Sequence, residues 1–187
     1  METSPIADLN TRRLSEADAE PLGRFFELLA ADAETTRFFH PHPLSQVFAA
    51  DLCARQRRCR DRYFITQYHG ETVGYSMLRG WDEGYTTPSF GACTHPQLRG
   101  AGLGQLLLAH AIAESQAAGA QHLRLTVYKE NVAAFHIYRK FGFVFKDKNE
   151  HEWIGLLDLR RPLPAHPIHA NLTKLDAWRK RQLAPAA

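Results

Sequence analysis

Three glycines in five residues, Gly100-Ala101-Gly102-Leu103-Gly104, join a β-rich run to an amphipathic one, and nothing else in the chain narrows the fold as much. Alternate glycines permit left-handed backbone and leave it uncovered by side chains. Successive amides can then face one concavity at the start of the following helix. With the positive end of the helix dipole, that concavity suits a pyrophosphate. Spacing sorts the ligand classes. A dinucleotide fingerprint needs glycine at the first, third and sixth places, and the sixth place here is Gln105. A nucleotide P-loop needs Gly-Lys-Ser/Thr, which does not follow. Another pyrophosphate ligand, or a turn that only packs tightly, remains.

The surrounding pattern is mixed α/β. Residues 6–13 read as a first strand. Leu22, Phe25, Phe26 and Leu29 recur at i, i+3, i+4, i+7, the stripe of an amphipathic helix. Phe38-Phe39-His40-Pro41-His42-Pro43-Leu44-Ser45 must end that helical stretch, because its prolines remove donors and fix φ. A second helix is expected over residues 46–60, and residues 62–80 read as a hairpin turning at His69-Gly70-Glu71. A strand over 89–94 leads into the glycine turn, and a helix over 102–118 ends at Gly119. His122 to Tyr128 alternates as a strand, Asn131 can cap a helix running to about Phe141, and strands over 144–146 and 153–159 close the series. Past Arg160 comes a proline-rich linker. Leu172, Leu175 and Trp178 then share one face of a short basic helix over 171–183, which needs a partner for that face.

Composition excludes some classes. The 187 residues suit one domain, and 44% hydrophobic with 23% charged residues is a globular balance. A net charge of +3 favours a polyanionic small molecule but is far from a nucleic-acid signature. No apolar run approaches the ~18 residues of a membrane span, and the first residues lack a signal pattern, so a cytoplasmic location is expected. Cys53, Cys59 and Cys93 are odd in number and lack zinc-ligand spacing, so no metal is expected.

Two motifs together resemble a known family. Arg99-Gly100-Ala101-Gly102-Leu103-Gly104 is similar to the acyl-CoA motif of the GNAT acetyltransferases, Arg/Gln-x-x-Gly-x-Gly/Ala. Downstream, Asn131, Ala134, Tyr138, Gly142 and Phe143 match the family's Asn-x-x-Ala-x-x-x-Tyr-x-x-x-Gly-Phe. The resemblance spans about residues 6–159. It implies a catalytic domain over 1–160 and leaves 161–187 as linker and short helix. The implied fold is a central twisted sheet of about seven strands, helices on both faces, splayed between the fourth and fifth strands.

The resemblance also implies acetyl-CoA as co-substrate and assigns residues to it. The backbone of Ala92, Cys93 and Thr94 would meet the pantetheine arm, and Arg99, Gly100, Ala101, Gly102, Leu103, Gly104 and Gln105 the pyrophosphate. Asn131 would reach the cofactor while also capping its helix. Tyr138 would lie against the thioester sulfur and protonate the departing thiolate. Where some members carry a glutamate base, this chain has Thr126. The candidates for a base are therefore Glu83, His40 and His42, or a water chain. Cys93 lacks a recognisable His-Asp partner set and reads as a small core residue rather than a nucleophile.

The function so implied is transfer of acetyl to a small-molecule primary amine through a ternary complex. The loops Phe38–Pro43 and Trp81–Tyr85 resemble acetyltransferases of surface-polysaccharide gene clusters, which implies an amino sugar held by His40, His42, Trp81 and Tyr85. A protein N-terminal or lysine acetyltransferase, and a CoA-binding module without catalysis, are the alternatives. Neither nucleic acid nor membrane is expected as a partner, and a homodimer is one way to cover the last helix.

Overall fold

The computed structural model describes residues 8–162 and 170–184. The expected strand start at residues 6 and 7 and the linker residues 163–169 lie outside the described residues. Seven strands form one sheet: β1 (Leu9–Arg13), β2 (Arg62–Tyr68), β3 (Glu71–Arg79), β4 (Ser89–Thr94), β5 (His122–Tyr128), β6 (Val144–Asp147) and β7 (Glu152–Asp158), in spatial order β1-β2-β3-β4-β5-β7-β6. Every neighbouring pair is antiparallel except β4 and β5. That parallel pair shares a single registered position, Ser89 with Arg124, and the strands then part.

Side-chain alternation distributes the helices over both faces. On one face Tyr63, Ile65, Tyr75, Met77 and Cys93 pack against α1 (Ala19–Ala30) and α3 (Gln46–Arg55). On the other, Phe64, Leu78, Phe90, Leu123 and Leu125 pack against α4 (Leu103–Ala117). α5 (Val132–Lys140) lies along the same layer, close enough that a Cβ on Gly104 would sit 3.4 Å from Ile137 Cδ1.

The expected second helix over 46–60 is shorter. It ends at Arg55 and passes into a 3₁₀ turn, Gln56–Arg58. Two carboxylates draw the chain away: the Arg60 amide donates to Asp82 Oδ1 at 2.7 Å, and Asp61 accepts from the amides of Gly80, Trp81 and Asp82. Arg62 then begins β2 and pairs with Glu114 at 2.9 Å.

A third helix precedes β2: α2 (Ala33–Phe38), six residues capped by Asp32, whose carboxylate accepts from the Thr35 amide at 2.8 Å. At the other end of the chain α6 (Leu172–Leu183) docks on its own chain. Leu175 and Trp178 are buried with Tyr68, Val73, Leu98, Ala101 and Leu103, so the apolar side of α6 is covered beside the glycine turn. No helix among the described residues is long and apolar enough to cross a membrane.

Candidate active site at the sheet splay

The glycine turn is built for an anion. Gly100 and Gly102 have φ of +76° and +83°, a region that costs other residues roughly 1–2 kcal/mol. Gly102 caps α4, and its carbonyl accepts from the amides of Gln105 and Leu106. Among the described residues the amides of Gly102, Leu103 and Gly104 donate to no backbone carbonyl. Three donors at the positive end of a fifteen-residue helix therefore await an acceptor.

Two bonds from the tail secure the turn on its other side. Asn171 N–H donates to the Ala101 carbonyl at 2.8 Å, and the Lys174 ammonium donates to the Arg99 carbonyl. The Arg99 side chain points elsewhere. It pairs with Asp32 and reaches Thr35 Oγ1 at 3.2 Å, tying the turn to α2. That pairing, with the Thr35 bonds, pulls the Asp32 carboxyl down to about 2.

From the turn a cavity of about 680 Å³ runs into the splay. The edge of β4 facing β5 has no ladder partner beyond Ser89, so its backbone groups are open to a ligand. Ala92, Cys93, Thr94, Arg99, Gly100, Gly102, Leu103, Gly104, Gln105, Asn131 and Tyr138 all line this cavity; Ala101, assigned with them, is fully buried and instead packs under α6. Asn131 Oδ1 accepts from the Ala134 amide at 3.1 Å, which makes it the cap of α5, and the same residue lines the cavity. Cys93 is buried, and burial raises its thiol well above the usual range, so it remains an unreactive thiol. Tyr138 lies edge-on to Phe90 at 6.3 Å between ring centroids, and burial raises its phenol far above 10.

The acceptor side differs from expectation at two residues. His42 does not line the cavity. It stacks on Phe48 at 4.5 Å, bonds Tyr75 Oη through Nε2 at 3.0 Å, and burial lowers it to about 4. Trp81 is core: it is buried in the α4-side cluster, with the Arg62 guanidinium 5.2 Å from its ring centroid. Long-range packing that no local pattern reveals removes both. His40 does line the cavity. Its Nε2 meets the Arg37 carbonyl at 2.9 Å; a carbonyl only accepts, so Nε2 is the donor, and in the neutral ring Nδ1 is the acceptor.

Glu83 lines a second cavity of about 580 Å³, which shares Pro41, Met77 and Ser89 with the first. Sequence reasoning missed its two arginines, Arg79 and Arg124. Arg124 carried a signal, as a charge at an alternate place in a strand. It also missed Glu34, Lys148 and Glu152 on the wall of the first cavity. Among the described residues no cluster of His, Cys, Asp or Glu could hold a metal ion.

Known proteins share sequence or fold with this chain. The model of the acetyltransferase (GNAT) family matches residues 24–143. The streptothricin acetyltransferase of Streptomyces lavendulae is 33% identical over 78 residues, which are 41% of this chain and 40% of that protein's length. A GNAT-family acetyltransferase from Streptococcus pneumoniae superposes with a TM-score of 0.67 at 20% identity, covering 84% of this chain and 99% of that one. The Salmonella typhimurium protein yncA, solved with acetyl-CoA, gives 0.64 at 18% identity, covering 86% and 99%.

Proposed function

The chain belongs to the acetyltransferase (GNAT) family, and from that membership we propose that it transfers acetyl from acetyl-CoA to a primary amine of a small molecule. The observation that carries this reading is one cavity that joins helix-start amides without a backbone acceptor to the half-buried Tyr138 at the sheet splay. The residues fit the donor. Free amides at 102–104 suit a pyrophosphate, and the open β4 edge suits the amides of a pantetheine arm. When bound, acetyl-CoA supplies an activated acetyl thioester.

The chain's own groups meet the remaining needs of acyl transfer. A backbone N–H on the open edge of β4 can donate to a carbonyl oxygen and stabilise the charge developing there. Burial keeps the Tyr138 phenol protonated across neutral pH, so its Oη holds a proton for a leaving thiolate. His40 offers Nδ1, and Glu83 a carboxylate on the adjoining cavity, as acceptors for the amine's proton. Burial of Trp81 leaves Tyr85 as the aromatic of that loop on a cavity wall, which favours a small amine in general over a stacked sugar ring.

The test is amine-dependent release of free thiol from acetyl-CoA, screened over amino acids, amino sugars, nucleotide-linked amino sugars, polyamines and peptides. Thiol release with at least one small amine is the expected result. Release with peptides alone, or with none of these amines while calorimetry shows acetyl-CoA bound, overturns the reading.

A further inference from the structure

The second cavity carries charge that the acetyl donor does not need. Arg79 ends β3, Ser89 begins β4 and Arg124 lies on β5, and the register pairs Arg79 with Ser89 and Ser89 with Arg124. Cross-strand partners share a face, so two guanidiniums flank one serine, and all three residues line the cavity. Arg79 is only partly satisfied. One Nη donates to the Pro41 carbonyl at 2.9 Å and the other lies 3.8 Å from Glu83, while its Nε is buried with no partner among the described residues. The Arg124 backbone amide is taken by the Pro88 carbonyl at 2.9 Å; among the described residues its side chain makes no hydrogen bond or ion pair. The wall therefore holds two cations against the one carboxylate of Glu83, with the hydroxyls of Tyr85, Thr86 and Thr87 as further donors. A concavity of this kind awaits an anion, because guanidinium groups are strongest as forked donors to carboxylate or phosphate.

We propose that this cavity binds an anionic group of the acceptor, so that the substrate class is a small amine bearing a carboxylate or a phosphate. The proposal rests on the acetyl-transfer reading above and specifies its acceptor. Ser89 lies two residues before Gly91, about 7 Å along a strand, and Gly91 lines the donor cavity. An amine placed there can keep its anionic group at the arginine level, a few bonds away, through the shared wall of Pro41, Met77 and Ser89. A polyamine would bring further positive charge to the same arginines and is disfavoured.

Matched pairs test this: an α-amino acid against its carboxamide, glucosamine 6-phosphate against glucosamine, and spermidine as a polycation, with thiol release as readout. The anionic member of at least one pair should show a kcat/KM at least tenfold above its neutral partner, and the pair that responds tells carboxylate from phosphate. Arg124→Gln should raise the KM of that anionic acceptor roughly tenfold to hundredfold, the scale of a lost charge-assisted bond, and leave acetyl-CoA affinity within about twofold. Neutral amines or spermidine turned over as well as the anionic members would overturn the proposal while leaving acetyl transfer intact. If no amine is turned over, calorimetry on the acetyl-CoA-saturated protein reads the site directly with the same amino acid and with inorganic phosphate. Binding that Arg124→Gln abolishes supports an anion site, and no binding by either probe overturns it.

Discussion

Replacing Trp178 by alanine tests whether the last helix belongs to the core. Trp178 is 3% exposed and packs with fully buried Leu175 against Tyr68, Val73, Leu98 and Leu103, and its ring stands edge-on to His95 at 5.0 Å. A buried tryptophan removes about 150–250 Å² from water, worth about 4–6 kcal/mol at ~25 cal/mol per Å². Truncations of this kind cost about 3–5 kcal/mol. One feature pulls the figure to the lower end: Trp178 Nε1 is buried without a hydrogen-bond partner among the described residues, and such a group costs roughly 1–3 kcal/mol. We therefore expect about 3 kcal/mol for Trp178→Ala. A chain of this size loses about 2–4 °C per kcal/mol, so the melting temperature should fall by about 6–12 °C. Trp178→Phe keeps a ring and removes the unpaired donor, so it should melt within about 3 °C of the parent. Calorimetric melts of the three proteins decide. An alanine variant that melts with the parent would show that α6 is not packed as described.

Two further outcomes follow from the site. Tyr138→Phe should bind acetyl-CoA as the parent does and turn over roughly 10²-fold more slowly, since only the proton source is lost; steady-state rates within threefold of the parent would reduce Tyr138 to packing. The Asp32 carboxyl sits lower in the folded chain, at about 2, than in the unfolded one near 3.8. The folded state thus holds fewer protons between those values, so the stabilisation is complete above about pH 4 and is lost as pH falls toward 2. Melts from pH 6 to 2 should fall more steeply for the parent than for Asp32→Asn, and parallel curves would remove Arg99–Asp32 as a stabilising pair.

Local chemistry made much of the fold legible. The strand His122–Tyr128 follows from its alternation, and α5 from the cap Asn131, whose side chain bonds the Ala134 amide. The glycine turn was legible because glycine adopts the positive-φ backbone at 100 and 102 without the steric cost other residues meet. What escaped depends on partners far along the chain. The six-residue α2 has no apolar stripe of its own and is held by Asp32 pairing with Arg99, 67 residues away. His42 and Trp81 looked available because their neighbours in sequence are polar or proline-rich, yet Phe48, Tyr75 and Arg62 enclose them. The convergence of Arg79 and Arg124 depends on the register of three strands, which alternation within each one does not specify.

The tail's hold on two carbonyls has a consequence at the amides behind them. In a planar trans peptide, the C=O of one residue and the N–H of the next point in opposite directions. The carbonyls of Arg99 and Ala101, held by Lys174 and Asn171, share their peptide planes with the amides of Gly100 and Gly102. Glycine leaves those planes freer to flip than any other residue would, and the two bonds from the tail choose the orientation. With the oxygens turned toward α6, the hydrogens of Gly100 and Gly102 face away from it. The last helix thus acts on the glycine turn as a set of stops, fixing in advance which way its dipoles point.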